Sequence, residues 1–188
     1  MGGNYTKDMF RQLESALLKD EIITALPHDA VEDTHLTLED THLTTYECYF
    51  DGSHRPQMSG CAFCVCINSQ TIYKYVYHER LATSQLAEMR ALYLLLKYIQ
   101  QNIEPGSTLI INGDADGVIR KAEGLTKRSG KDGRTHVGKT RKLLRKLRKD
   151  YIITLNCIPR KENQTAHELV RIASFIAHHI LPDTPICA

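Results

Sequence analysis

The chain has 188 residues, with 24 basic and 22 acidic side chains and a formal net charge of +2 at pH 7. This length is enough for one domain with a proper core and an appendage, but hardly for two full domains. No run of residues approaches the length of a membrane span, and the polar start at residues 1–7 lacks the apolar segment of a signal peptide. We therefore expect an intracellular, cytoplasmic protein with no membrane partner.

The first predicted elements precede the main domain. Residues 1–27 contain an amphipathic helix, with apolar side chains at helical spacing and a proline at its end. Residues 28–43 are a polar linker, in which the sequence Glu-Asp-Thr-His-Leu-Thr occurs twice. Local duplication explains this repeat better than a metal site at His35 and His42. The helix needs a surface to cover, so a homo-oligomer or a protein partner remains open.

The domain itself is predicted over residues 44–181, with a tail at 182–188. Apolar runs predict strands at 45–51, 60–67, 71–79, 108–112 and 151–158, and helical spacing predicts helices at 83–101, 117–123, 139–149 and 163–180. The first three strands form an antiparallel meander, and strands four and five return through helical crossovers parallel to strand one. The prediction is an α/β fold with a mixed five-stranded sheet flanked by helices.

Two side-chain patterns occur within these strands. Tyr73, Tyr75 and Tyr77 share one face of strand three, where packing against a helix is favoured over stacking on bases. The run at 61–67 carries three of the six cysteines, which could be zinc ligands. Because the run is apolar and cysteine is often a small buried residue, we interpret them as structural thiols in a reducing environment.

Three carboxylates are predicted to converge. Asp51 ends strand one, Asp114 directly follows strand four, and Glu88 extends the apolar stripe of the first domain helix. Taken singly, Glu88 could simply favour a helix N-terminus, and Asp114 could belong to an acidic turn. Together they cannot all stay ionised without a counter-charge, which hard divalent cations supply. The element order therefore predicts a metal-dependent phosphoryl-transfer domain.

Positive charge is concentrated in one segment. Residues 127–149 contain eleven Lys and Arg residues against one acid, Asp132. A solvated charged face is the ordinary explanation, but unbalanced positive charge is unfavourable unless an anion compensates it. The segment therefore predicts an anionic partner, and contacts of this kind make binding dependent on salt.

Four motifs, taken in order, resemble those of the ribonuclease H family, type 1 branch. Tyr-Phe-Asp-Gly-Ser at 49–53 is similar to Y-x-D-G-S, and Thr-Ser-Gln-Leu-Ala-Glu at 83–88 to T-x-x-x-x-E. Asp-Ala-Asp-Gly-Val-Ile at 114–119 resembles D-S-x-x-V-I, and residues 158–167 resemble V-x-R-x-x-N-x-x-A-D. The resemblance covers about residues 44–177. It implies the ribonuclease H-like fold and cleavage of the RNA strand of RNA–DNA hybrids, leaving 5′-phosphate and 3′-hydroxyl ends.

The resemblance also implies roles for individual residues. Asp51 would bridge two divalent cations, Mg²⁺ or Mn²⁺, while Glu88 and Asp114 would each hold one and His167 would be the fourth ligand. Such a pair of cations activates a water and stabilises the leaving 3′-oxygen. The residues expected to contact the hybrid are Gly52, Ser53, Ser84, Gln85, Lys139, Arg141, Lys142, Arg145 and Lys146.

Two residues depart from the family pattern. The family usually has Asp at the position of His167. If His167 is a ligand, it would hold the second cation more weakly than Asp and would favour Mn²⁺. If it is not a ligand, the site is degraded. Asp116 stands where the family often has Gln or Asn. Two alternatives therefore remain, a non-catalytic nucleic-acid-binding module and a nuclease acting on structured DNA, although Ser53, Ser84 and Gln85 favour RNA.

Overall fold

The structure is a computed structural model, and it describes residues 44–54, 59–126 and 131–179. The strands are β1 (Thr45–Ser53), β2 (Ser59–Ile67), β3 (Gln70–Glu79), β4 (Thr108–Gly113) and β5 (Ile152–Cys157). The helices are α1 (Ser84–Asn102), α2 (Asp116–Glu123), α3 (Lys131–Leu147) and α4 (Gln164–His179), and one turn of 3-10 helix spans Arg160–Glu162. The predicted helix at 1–27, the linker at 28–43 and the tail at 182–188 lie outside the described residues.

The five strands form one mixed sheet in the order β3-β2-β1-β4-β5. β1 is antiparallel to β2 and parallel to β4, β2 is antiparallel to β3, and β4 is parallel to β5. The predicted fold class is therefore confirmed. Tyr49 lies level with Asn112 in the parallel pair. Asp51 and Asp114, each two residues further on, therefore emerge at the same end of the sheet.

One face of the sheet carries the main core. Helix α1 covers it with a stripe that includes Leu92, Leu95 and Leu96, each of which is completely buried. Phe50 and Phe63 from the strands are buried in the same cluster. Burying a side chain of this size stabilises the fold by roughly 1.5–3 kcal/mol. Because α1 packs tightly on the sheet, the position of each residue on this helix is fixed. Helix α4 packs against β1, β2 and β3.

The tyrosine row on β3 packs within the domain, as predicted. The ring of Tyr75 lies 5.0 Å from that of Phe63, and the ring of Tyr73 lies 4.2 Å from that of Tyr98 on α1. Aromatic pairs at these separations stabilise a fold beyond the area that they bury. The row therefore serves the contact between the sheet and α1.

The strand cysteines are small members of the core. Cys48, Cys61, Cys64 and Cys66 are buried free thiols, and burial raises the pKa of Cys61 and of Cys64 to about 12. Thiols with such pKa values are not nucleophiles at neutral pH. This placement agrees with the interpretation of these cysteines as structural.

Helix α3 corrects one prediction. A helix was expected at 139–149, but α3 spans Lys131–Leu147 and so begins eight residues earlier. Gly133 and Gly138 favoured a loop, yet a glycine inside a helix costs only about 1 kcal/mol relative to alanine. Val137 and Thr140 are buried, and packing of this face against α1 offsets that cost. Tertiary contacts on this face therefore outweigh the cost of Gly138.

Within the part of the chain that the structure describes, the helices lack either the length or the apolar character needed to cross a membrane.

Candidate active site

Asp51, Glu88 and Asp114 meet at the carboxyl end of β1 and β4. One side-chain oxygen from each lies within 4.8 Å of the others. Asp51 is 5% exposed, and the other two are half-buried. The parallel pairing of β1 with β4 brings the two aspartates together, and α1 brings Glu88 to them across the sheet. The three predicted carboxylates therefore form one group, referred to below as the carboxylate group.

Gly52 allows α1 to reach this position. A Cβ atom at residue 52 would lie 2.2 Å from the backbone nitrogen of Glu88 and 2.3 Å from the carbonyl carbon of Ala87. Only glycine permits a helix backbone to lie so close to the strand. The start of α1 is fixed by Thr83, whose hydroxyl accepts a hydrogen bond from the amide of Leu86 at 3.2 Å. Strand and helix are thus held at the separation that puts Glu88 beside Asp51.

We expect Gly52→Ala to destabilise the protein by about 3 kcal/mol or more, since the added methyl group would overlap backbone atoms that cannot move independently. Urea unfolding measures this. The matched control is Gly117→Ala, because a Cβ there would meet only the Gln85 amide nitrogen at 3.5 Å. That variant should keep its stability to within about 1 kcal/mol. Equal stabilities for the two variants would contradict the close approach of α1 to β1.

The electrostatics of the carboxylate group are strongly unfavourable for three negative charges. Burial, followed by the charges of Asp51 and Asp114, raises the pKa of Glu88 to about 10. The Glu88 Oε2 atom is also buried, and it has no hydrogen-bond partner among the described residues. Oxygen ligands, excess negative charge and an unpartnered buried oxygen together fit a hard divalent cation such as Mg²⁺ or Mn²⁺. The carboxylate group therefore suits the divalent cations that were predicted from the sequence.

His167 lies beside the carboxylate group, on α4. Its Nδ1 atom is 3.0 Å from Asp51 Oδ2, and its side chain is 31% exposed. It is not one of the three residues whose ligand atoms all lie within 4.8 Å of one another. The structure therefore brings His167 into contact with Asp51 rather than with all three carboxylates.

Asn163 connects several parts of the site, and no role for it was predicted from the sequence. It is 1% exposed, and its side-chain amide donates to Phe50 O at 2.9 Å and to Asp114 Oδ1 at 3.2 Å. Its backbone carbonyl accepts from the amide of His167 at 3.0 Å. Asn163 thereby joins β1, Asp114 and the start of α4. Its place in the last motif was the signal that could have identified it.

Arg160 is the second contact that was not predicted. It lies on the 3-10 turn, and its Nη2 atom is 3.2 Å from Nδ1 and 3.1 Å from Nε2 of His167. The imidazole of His167 therefore lies in contact with both a positive side chain and the carboxylate of Asp51.

Four residues predicted to contact a hybrid belong to the two elements that carry Asp51 and Glu88. Gly52 donates its amide hydrogen to Asp51 Oδ1 at 2.8 Å, and Ser53 follows it in β1. Ser84 and Gln85 are exposed at the start of α1, where Gln85 Oε1 accepts from Lys121 Nζ at 2.6 Å. Asp116, the residue that departs from the family pattern, is exposed in the first turn of α2.

The basic residues of α3 divide into two sets. An exposed set lies on the face opposite the buried residues, and its members are Lys139, Lys142, Arg145 and Lys146. Arg141 differs, because its guanidinium donates to Lys121 O at 2.5 Å and to Thr126 O at 2.9 Å. Arg141 therefore binds the end of α2, whereas the other four residues of α3 that were predicted to contact the hybrid face solvent.

Comparisons with known proteins identify a matching family and structures that share this fold. Residues 49–173 match the family model described as reverse transcriptase-like. Among curated proteins, none matches the chain. The N-terminal ribonuclease H domain of a Mycobacterium tuberculosis protein has a TM-score of 0.64 at 20% identity, covering 73% of this chain and 98% of that one.

Two further structures share the fold. Ribonuclease H1 from Halobacterium salinarum has a TM-score of 0.60 at 22% identity, covering 70% of this chain and 98% of that one. A ribonuclease H1 named LC11, solved in complex with an RNA/DNA hybrid, has a TM-score of 0.62 at 19% identity, covering 71% of this chain and 99% of that one. At these identities the likeness establishes the fold.

Proposed function

Because this chain belongs to the reverse transcriptase-like family of the ribonuclease H-like superfamily, we propose that it is a metal-dependent endoribonuclease. In this proposal it cleaves the RNA strand of RNA–DNA hybrids and leaves 5′-phosphate and 3′-hydroxyl ends. The match confirms the family resemblance drawn from the four motifs. The proposed cleavage activity rests on the residues at the carboxyl end of β1 and β4.

The observation that carries the proposal is the carboxylate group. Three acidic oxygens within 4.8 Å of one another are costly to keep in the fold unless a cation neutralises them. The site lies where ligands of α/β sheets gather, at the carboxyl ends of parallel strands. A structural role does not explain why Glu88 is directed into such a site when its pKa is raised to about 10.

Asp51, Glu88 and Asp114 would hold the divalent cations, with Asp51 shared between two of them and His167 as the fourth ligand. When bound, such cations supply charge neutralisation at the scissile phosphate and activation of a water. The chain itself contributes the fixed separation of these side chains, because Gly52 and Asn163 lock the elements that carry them. An imidazole in place of a carboxylate lowers the negative charge, so we propose that Mn²⁺ supports turnover better than Mg²⁺.

Contacts with the nucleic acid would come from two surfaces. Ser53, Ser84 and Gln85 lie near the carboxylate group and offer hydroxyl and amide groups, which suit the 2′-hydroxyls of an RNA strand. The exposed basic residues of α3 would bind phosphates of the complementary strand. The complex of LC11 ribonuclease H1 with an RNA/DNA hybrid supports the choice of this duplex as substrate.

One assay tests the activity. Labelled RNA–DNA hybrid, duplex DNA, duplex RNA and a four-way DNA junction are each incubated with the protein, in Mg²⁺ and in Mn²⁺. Cleavage confined to the RNA strand of the hybrid, with 5′-phosphate products, is expected. Cleavage of the junction alone would replace the proposal with a structured-DNA nuclease. Tight hybrid binding without cleavage in either metal would favour the non-catalytic binding module.

We expect the exposed basic set to carry the salt dependence of binding. Replacing Lys139, Lys142, Arg145 and Lys146 with Gln should weaken hybrid affinity and flatten the plot of log K against log salt. The slope should change by roughly 0.9 for each phosphate that the helix no longer neutralises. Fluorescence anisotropy with a labelled hybrid, without divalent metal, measures both quantities.

The control for this experiment is Lys74→Gln, which removes an exposed positive charge from β3, an edge strand of the sheet. Its slope should match that of the parent. If the α3 variant also keeps the parental slope, this face of α3 does not contact phosphates.

A further inference from the structure

The side-chain amide of Gln85 lies against the surface of α2. Its Oε1 atom accepts a hydrogen bond from Lys121 Nζ at 2.6 Å. At the other end of the amide, Nε2 is 3.5 Å from the position that a Cβ atom of Gly117 would occupy. Residues 117 and 121 lie four apart in α2, on the same face of the helix. The amide is therefore held in one direction along that face, with its oxygen toward Lys121 and its nitrogen toward Gly117.

The chemistry of lysine decides this direction. An ammonium group has three donors and no acceptor, so it can bond only to the oxygen of the amide and not to its nitrogen. If the amide turned over, its N–H groups would face the ammonium group, and neither side could accept. Gln85 is exposed, and its bond to Lys121 is the one that its side chain makes among the described residues. The two N–H donors of Nε2 therefore remain open to a ligand.

These donors lie between the elements that carry the carboxylate group. Gln85 is three residues before Glu88 on α1, and Gly117 is three residues after Asp114. Side chains reach the base edges of an A-form duplex through its wide, shallow minor groove. Every base pair has acceptors in that groove, whereas only pairs with guanine add a donor, the 2-amino group. The donors of Gln85 therefore suit every base pair, while its oxygen would suit guanine alone.

We propose that Lys121 is a positioning residue that makes hybrid binding independent of base sequence. By holding the oxygen of the Gln85 amide, it presents the amide N–H donors to the acceptors of the minor groove. This rests on the proposed function, in which Gln85 contacts the hybrid. With the amide turned over, its oxygen would bind the guanine 2-amino group and would face an unfavourable acceptor at other base pairs.

A direct contact between Lys121 and a phosphate makes a different prediction. Loss of a phosphate contact weakens binding to all sequences about equally and lowers the dependence of binding on salt. It does not change the preference for one base pair over another. A base preference that changes with the residue at position 121 therefore separates positioning from charge.

The first test compares two hybrids that differ only at their guanines, all of which are replaced by inosine in one of them. Inosine lacks the 2-amino group. Fluorescence anisotropy without divalent metal gives the ratio of the two affinities for the full chain. Relative to the parent, Lys121→Glu should shift this ratio toward the guanine hybrid by about threefold or more, because a carboxylate accepts from Nε2 and turns Oε1 toward the groove. An unchanged ratio would overturn the proposal.

Two variants of α2 serve as controls, and any effect of inosine on the duplex itself is common to all the proteins. Lys121→Arg still donates to the Gln85 oxygen and should keep the parental ratio. Arg120→Glu makes the same change of charge at the neighbouring exposed position, and it should weaken binding to both hybrids without altering the ratio. A shift in either control as large as that of Lys121→Glu would assign the effect to something other than the amide.

A double substitution asks whether the effect passes through Gln85. In a Gln85→Ala background, Lys121→Glu should no longer shift the ratio of the two affinities. A shift of the same size in both backgrounds would also overturn the proposal.

The orientation of the amide can be observed without nucleic acid. In NMR spectra of the metal-free protein, the side-chain NH₂ hydrogens of Gln85 should show nuclear Overhauser effects to the α-hydrogens of Gly117. In Lys121→Glu they should show them to the side chain of residue 121 instead. Contacts with Gly117 alone in both proteins would reject positioning by Lys121. If the spectra and the affinity ratios change as expected while no hybrid is cleaved, the proposed activity fails and the positioning role stands.

Discussion

Replacing Asp51 with Asn is expected to lower the rate of hybrid cleavage by at least about a thousandfold, which corresponds to roughly 4 kcal/mol of activation free energy. Asp51 is the most buried member of the carboxylate group, and it also accepts from the backbone of Gly52 at 2.8 Å and contacts His167 at 3.0 Å. Asn keeps the shape and can still accept from Gly52, but it lacks the charge that a bridging ligand must supply. Single-turnover cleavage with saturating metal measures the loss.

The fold should survive this substitution. Asp51 is among the groups that raise the pKa of Glu88, so removing its charge relieves repulsion in the metal-free protein. We expect an unfolding midpoint equal to or above that of the parent. Asp116→Asn is the matched control, because it removes an exposed carboxylate from outside the group; it should keep cleavage within about tenfold. Near-parental cleavage by Asp51→Asn would remove the assignment of Asp51 as the shared ligand.

The carboxylate group could be predicted from the sequence because its geometry follows from repeating patterns. Asp51 and Asp114 each end a strand, and parallel neighbours place their ends together. Glu88 lies on the apolar stripe of α1, so helical periodicity alone turns it toward the sheet. Local periodicity and the rule for parallel strands were sufficient here.

The contacts of Asn163 and Arg160 could not be predicted in the same way. Asn163 bonds to Phe50, which is 113 residues away in the chain, and no local pattern specifies such a pair. The contact of Arg160 with His167 depends on the 3-10 turn before α4, whose geometry the sequence pattern did not indicate. The separation of Arg141 from its basic neighbours likewise depends on how α3 is rotated against α2. These features are set by tertiary packing.

The metal affinity of the protein is expected to rise steeply with pH. Glu88 has a pKa of about 10 in the metal-free fold, against an ordinary value of 4.5, so at neutral pH it is protonated and must release its proton to bind a cation. Affinity for Mn²⁺ should therefore increase by up to about tenfold per pH unit across the neutral range. Calorimetry in buffers of different ionisation enthalpy counts the released proton.

The proton on Glu88 also makes the stability of the metal-free protein depend on pH. Stability should fall over the pH range in which metal affinity rises. Between pH 4.5 and about 10 the native state holds the Glu88 proton while the unfolded chain has lost it. The native state therefore binds more protons, and the free energy of unfolding falls as pH rises through this window. The side chain of Gln cannot titrate, so in EDTA Glu88→Gln should become more stable than the parent as pH increases. Its Mn²⁺ affinity should be low, and binding of Mn²⁺ should no longer release a proton from this position. If the parent and Glu88→Gln show the same dependence of stability on pH, Glu88 is already ionised in the metal-free protein, and the carboxylate group lacks the repulsion that we propose a metal relieves.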